Sequence, residues 1–139
     1  MHLSSKVDRT WLIHLNENMT TEIINFQRRF QMWSYTTSHS ELLLRSPKTP
    51  RLPTRIDVFF KDVKAIHLPT AFDGLVISEA IESEILELHI QFGSPNLEGR
   101  KVFVVHDSQF RGYVIAGALA WHEDEREYHD PSYFSITSN

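Results

Sequence analysis

The apolar positions of the chain repeat first with a helical period. Apolar residues step by four, three, four and three positions at Met19, Ile23, Phe26, Phe30 and Trp33. This is the stripe of a helix that lies with one face on a core. The pattern therefore predicts one amphipathic N-terminal helix over residues 19–33.

From Trp33 onward the period changes to two, which is typical of half-buried β-strands. Alternating or apolar runs follow, with a phase slip near Asp62 that predicts a bulge or tight turn. The pair Asp73-Gly74 predicts a hairpin turn between two strands. Residues 81–92 fit both a helical and a strand pattern, and the strand is the cleaner fit for 85–92.

The last apolar run, residues 113–121, is apolar on both faces, so it predicts a central strand. Taken together, the pattern predicts an α+β fold that is mainly antiparallel β. Its core would be a single curved sheet of six or seven strands with the N-terminal helix packed on it. The alternative is a two-sheet β-sandwich. Residues 1–139 would form one globular domain with loose ends at about 1–10 and 131–139.

Composition narrows the class of protein. The chain has 139 residues with nine Phe, four Tyr and three Trp, enough apolar bulk for one core. It contains no cysteine, which excludes disulfides and thiolate metal sites and fits a reducing, cytoplasmic compartment. Its apolar runs are too short for a membrane span, so no membrane association is expected.

The charge is unevenly distributed. Residues 1–70 hold ten Lys/Arg against six Asp/Glu, and residues 71–139 hold four against twelve, so the halves carry about +4 and −8. The acidic residues concentrate in a segment that we call the acidic pole: Glu123, Asp124, Glu125, Glu127 and Asp130. A proline-punctuated basic connection carries Arg45, Lys48, Arg51 and Arg55. Each is a candidate binding surface.

Candidate chemistry is sparse. The weak candidates for metal ligands are His106, His122 and His129, and together with Glu123 and Asp124 they could serve a metal-dependent hydrolase. However, no helical zinc-ligand spacing supports a metal site. No catalytic residue, cofactor or phosphate-binding loop is expected. The acidic chain, whose basic connection lacks interleaved aromatic residues, argues against nucleic acid.

The sequence therefore favours a non-enzymatic interaction domain. Its partner would be a basic protein bound at one charged surface, or a second copy of the chain that forms a homodimer. The alternative is a small-ligand-binding domain, or the hydrolase, with a cavity beneath the curved sheet lined by aromatic side chains.

Overall fold

The described part of the chain is β-rich, with eight antiparallel-paired strands and few helices. The computed structural model describes residues 21–94 and 96–137. The strands are β1 (Thr21–Thr36), β2 (Glu41–Ser46), β3 (Arg55–Lys61), β4 (Ala65–His67), β5 (Ala71–Glu79), β6 (Lys101–His106), β7 (Arg111–Ala116) and β8 (Ala118–Asp124). Helix α1 spans Glu82–Phe92 and α2 spans Tyr133–Thr137. The order β4-β7-β6-β5-β1-β2-β3-β8 confirms an antiparallel sheet, but the predicted count of six or seven strands is wrong.

The predicted helix over residues 19–33 is also wrong. The described part of that segment lies in β1, which pairs with β5 and then with β2. Its register against β5 shifts between Glu22 and Ile24 and again between Phe26 and Arg29. Each bulge inserts a residue, so inward-facing positions step by two and then by more than two. A strand interrupted in this way imitates the three-to-four spacing of a helix.

The hairpin turn predicted at Asp73-Gly74 is not formed, and these residues instead lie opposite a β-bulge of β1. Both residues lie inside β5, and Gly74 has φ +95°, a backbone conformation that L side chains rarely adopt. It lies opposite the second bulge of β1, where a Cβ on Gly74 would lie 3.8 Å from the Phe26 carbonyl oxygen. Glycine is needed here for a bulge rather than for a turn.

Backbone hydrogen bonds near Asp62 and Gly117 connect the two ends of the sheet. Asp62, with φ +58°, separates β3 from β4, so the predicted bulge or turn there is confirmed. The N–H of Gly117, which separates β7 from β8, donates to the carbonyls of Lys61 and Asp62 at 2.9 and 3.1 Å. The Lys64 N–H donates to Ile115 at 2.7 Å. These bonds connect the β3–β8 and β4–β7 ladders and curl the sheet around its core.

The predicted central strand 113–121 is two strands. Its first half, β7, pairs with both β4 and β6 and buries Val114 and Ala116 in the core. After Gly117 the chain enters β8, which pairs with β3 at the other end of the strand order. Ala118 is exposed there. The two apolar faces predicted for this run therefore hold for β7 and not for β8.

Residues 82–92 form α1 rather than the favoured strand. The helix covers the outer face of the sheet, where Val102, Val104 and Ile115 are buried on the side opposite the core. Within the described residues, no helix is long and apolar enough to cross a membrane.

The C-terminal end packs on the sheet. Within the expected loose end at 131–139, Ser132 and Phe134 are buried, and the Phe134 ring stacks on Phe59 with centroids 4.8 Å apart. The expected loose segment 1–10 lies outside the described residues, as do the last two positions.

The close approach of β4 to β7 at Gly112 leaves no room for a side chain, so we predict that a larger residue there is destabilising. A Cβ there would overlap the His67 carbonyl oxygen and the Phe110 ring. We expect Gly112→Ala to lower the free energy of unfolding by about 1–3 kcal/mol through overpacking. Ala118→Leu, at the exposed first position of β8, should change it by less than about 0.5 kcal/mol. Urea denaturation measures both, and equal effects of the two variants would contradict the close approach.

Candidate functional site

The two candidate charged surfaces lie against each other. β3 begins at Arg55 and β8 ends at Asp124, and these two residues are register partners in the antiparallel ladder. The chain after Asp124, residues 125–137, then folds over the outer face of β2 and β3. We call it the C-terminal segment. The acidic pole is thereby brought onto the basic connection, although the two lie about seventy residues apart in sequence.

The centre of this contact is a buried ion pair. Arg45 and Asp57 are register partners on β2 and β3, and their side chains are 1% and 2% exposed. The Arg45 guanidinium donates from Nε to Asp57 Oδ1 at 2.7 Å and from Nη2 to Oδ2 at 3.0 Å. Arg55 lies on the other side of the same carboxylate, with Nη2 3.8 Å from Oδ2. Asp57 therefore shares its charge between two buried arginines.

The remaining guanidinium donors bind backbone carbonyls of the C-terminal segment. Arg45 Nη1 donates to the Tyr128 carbonyl at 2.7 Å. Arg55 Nη1 donates to the carbonyls of Glu127 and Asp130 at 2.9 and 2.7 Å. Arg55 Nε has no hydrogen-bond partner, but it lies 3.4 Å from the Asp124 carboxylate. Both arginines thus fasten the segment to the sheet.

A second ring of contacts surrounds this centre. Lys48 donates to the Glu125 carbonyl at 2.9 Å and pairs with the Glu127 carboxylate at 2.6 Å. The hydroxyl of Thr54 donates to Glu123 at 2.6 Å. Burial lowers the pKa of the Arg28 guanidinium, and the Glu123 carboxylate opposes that shift. Most of the side-chain charge on the acidic pole therefore faces cations of the same molecule.

Aromatic rings complete the cover. The Arg45 guanidinium carbon lies 4.8 Å from the Trp33 ring centroid, a cation–π contact. Tyr128 packs edge-on against Trp33 at 4.7 Å, and His129 lies 5.9 Å from the same ring. Sequence reasoning missed Trp33 and Asp57 as partners of these arginines. The only signal for Asp57 was its polar place between the apolar residues Ile56 and Val58.

The candidate metal ligands take structural positions. His122 Nε2 lies 3.5 Å from Asp124 Oδ2, and the His122 ring stacks on Tyr133 at 3.9 Å. His129 packs on Trp33, and His106 lies on β6 opposite Arg111. Among the described residues, no group of three or more His, Asp or Glu side chains is placed to hold a metal ion.

The alternative hypothesis places a cavity beneath the sheet, where core side chains of the described residues contact each other. Phe60 and Phe103 are buried, and their rings contact each other at 5.6 Å. Open clefts lie on the outer side of the sheet, next to α1.

Helix α1 is the least buried element that carries large apolar residues. Its only buried residue is Glu84, which pairs with Arg111 and accepts the Ile81 N–H at 2.9 Å. Leu86 and Ile90, one turn apart on the outer surface, are 59% and 77% exposed. Sequence reasoning missed this surface because the strand pattern of 85–92 was favoured.

Two clefts flank α1, each of about 280 Å³. One is apolar and lies between Ile85 and Leu88 of the helix and Ala65 and Ile115 of the sheet. The other is more polar and is bordered by Glu84, Glu87 and Gln91 on the helix and by His67, Arg111 and Tyr113 on the sheet. The helix therefore stands slightly off the sheet and offers both a ridge and two grooves.

The buried pair makes a testable prediction. Asp57→Asn removes the charge that two buried arginines share, so it should lower the free energy of unfolding by about 3–5 kcal/mol. The matched control is Asp73→Asn, whose partner Arg29 and own side chain are both largely exposed. That variant should lose no more than about 1 kcal/mol. Chemical denaturation of both variants checks this, and a similar loss in the two would mean that Asp57 is not the centre of the network.

Comparison with known proteins brings no relative. No protein family matches the sequence, and no curated protein or solved structure is similar to the chain. The chemistry available to the site is that of its own side chains. One group is the buried network of paired arginines and aspartates under the C-terminal segment. The other is the exposed pair Leu86 and Ile90 on α1, with glutamates beside it.

Proposed function

We propose that the protein is a non-enzymatic interaction domain and that the outer surface of α1 contacts a partner protein. One observation carries the proposal. Leu86 and Ile90 present adjacent large apolar side chains to solvent from a helix that buries no apolar residue completely. Exposed apolar groups that lie together and are rimmed by polar residues are typical of protein contact sites.

The basic connection and the acidic pole are less suited to bind a partner, because most of their charges are already paired with each other. Arg45 and Arg55 are buried, and five of their six guanidinium nitrogens donate hydrogen bonds within the molecule. Lys48 is bound to the C-terminal segment as well. A partner that binds Arg45, Lys48 or Arg55 would have to displace that segment, whereas a partner at the outer surface of α1 displaces only solvent. Arg51, the fourth residue of the basic connection, is exposed. A cytoplasmic location, favoured by the cysteine-free sequence, is part of the same proposal.

Photo-crosslinking tests the proposal. A benzophenone amino acid is placed at Ile90 and, as a control, at Tyr35, which is 42% exposed on β1. In the native host, we expect the Ile90 position to crosslink a second protein and the Tyr35 position not to do so. The captured protein, once purified, should bind the wild-type chain at least about tenfold more tightly than Leu86→Ser/Ile90→Ser.

The double variant should keep the wild-type melting temperature within a few degrees, because both side chains are exposed. Equal crosslinking from the two positions would refute α1 as the contact surface. An adduct of two copies of this chain would mean that α1 mediates self-association and not contact with a different protein.

A further inference from the structure

We infer that the partner surface recognised by α1 is apolar and rimmed by lysine or arginine. This inference rests on the proposed function and adds the chemistry of the partner. It follows from the charges that flank Leu86 and Ile90 and from the charges that the rest of the surface already neutralises.

The helix is rich in carboxylates, and its one basic residue is His89 in the last turn. Its sequence, ESEILELHIQF, contains three glutamates and no lysine or arginine. Glu84 points inward to Arg111. Glu82 and Glu87 are exposed, and within residues 21–94 and 96–137 neither forms an ion pair. At 100° per residue, Glu82 and Glu87 flank the Leu86–Ile90 ridge on its two sides.

The neighbouring cations are occupied by other carboxylates. Arg111 pairs with Glu84, and Lys101 pairs with Glu79 at 3.5 Å. At the far end of the helix, Glu98 holds Lys64 and Arg100 at 2.6 and 3.0 Å, and these contacts lower the pKa of Glu98. The charge left for a partner near α1 is therefore that of the two free glutamates.

The apolar cleft beside Leu86 and Ile90 limits the size of the group that a partner can insert there. A volume of about 280 Å³ lies at the lower edge of the range for ligand pockets and leaves room for an inserted side chain. Two residues of its helix wall, Ile85 and His89, are adjacent around the helix to Glu82 and Leu86. A partner segment along α1 can insert an apolar residue there and cover the ridge with others.

Basic residues at the rim of such a partner have two effects. Their aliphatic stems cover apolar surface while their charged ends reach Glu82 and Glu87. Their charge also accelerates encounter at low salt and selects against acidic partners. The recognition chemistry is therefore the combination of an apolar stripe and flanking positive charge.

A synthetic probe tests this with the full-length chain. The probe is a fluorescein-labelled, helix-forming peptide of leucine and lysine, and its leucine–glutamate counterpart is the reference. In fluorescence anisotropy we expect the lysine peptide to bind at least about tenfold more tightly than the glutamate peptide. Its affinity should fall as salt rises from about 50 to 300 mM, because the rim charges are exposed and screened.

Two variants with equal charge change locate the site. Glu82→Lys/Glu87→Lys should weaken binding of the lysine peptide at least about tenfold. Glu41→Lys/Glu125→Lys, at two carboxylates outside α1 that form no ion pair among the described residues, should weaken it less than about twofold. Equal losses would overturn the inference, because the peptide would then respond to net charge alone.

The failure of the inference differs from failure of the proposed function. If the glutamate peptide binds as tightly as the lysine peptide and Leu86→Ser/Ile90→Ser abolishes both, the contact surface is supported and the basic rim is refuted. If Leu86→Ser/Ile90→Ser leaves lysine-peptide binding unchanged, the contact at α1 is refuted. Thermal melting of each variant confirms that the fold is intact.

Discussion

The Arg45–Asp57 pair constrains the C-terminal third of the chain because a buried charge must be compensated on every side. Moving an ion out of water costs several kcal/mol, and a single carboxylate cannot satisfy two guanidinium groups. The missing acceptors are the main-chain carbonyls at positions 127, 128, 130 and 131. The path of the C-terminal segment over β2 and β3 and the packing of Trp33 over Arg45 fit this requirement.

The local sequence pattern predicted a β-rich fold and much of its strand content, but it did not predict the bulges in β1. Strands β2, β3, β6 and β7 coincide closely with apolar or alternating runs in the sequence. In β1, register shifts after Glu22 and Phe26 change the period, and no local signal separates a twice-bulged strand from a helix. Gly74 illustrates the same limit, since a positive φ serves a turn or a bulge equally well.

The candidate site was predictable in composition and not in arrangement. The sequence showed where the acidic and basic residues cluster, but their contact depends on pairing between β3 and β8, which are far apart along the chain. A charge cluster that looks like a recognition surface in one dimension can therefore be an internal contact in three. The α1 surface lay in a segment with two competing periods, and its stripe of Ile81, Ile85 and Leu88 was the signal that could have found it.

Because Arg45 and Arg55 hold the C-terminal segment by its main chain, they place almost no demand on its side chains. Carbonyl oxygens are common to all residues, so substitutions at Glu127, Tyr128 or Asp130 leave those hydrogen-bond acceptors in place. The two arginines and Asp57 have no such freedom. Sequence change should therefore be tolerated at the solvent-facing side chains of the segment. It should be tolerated less in the strands beneath and where a side chain of the segment contacts the sheet, as Tyr128 does at Trp33.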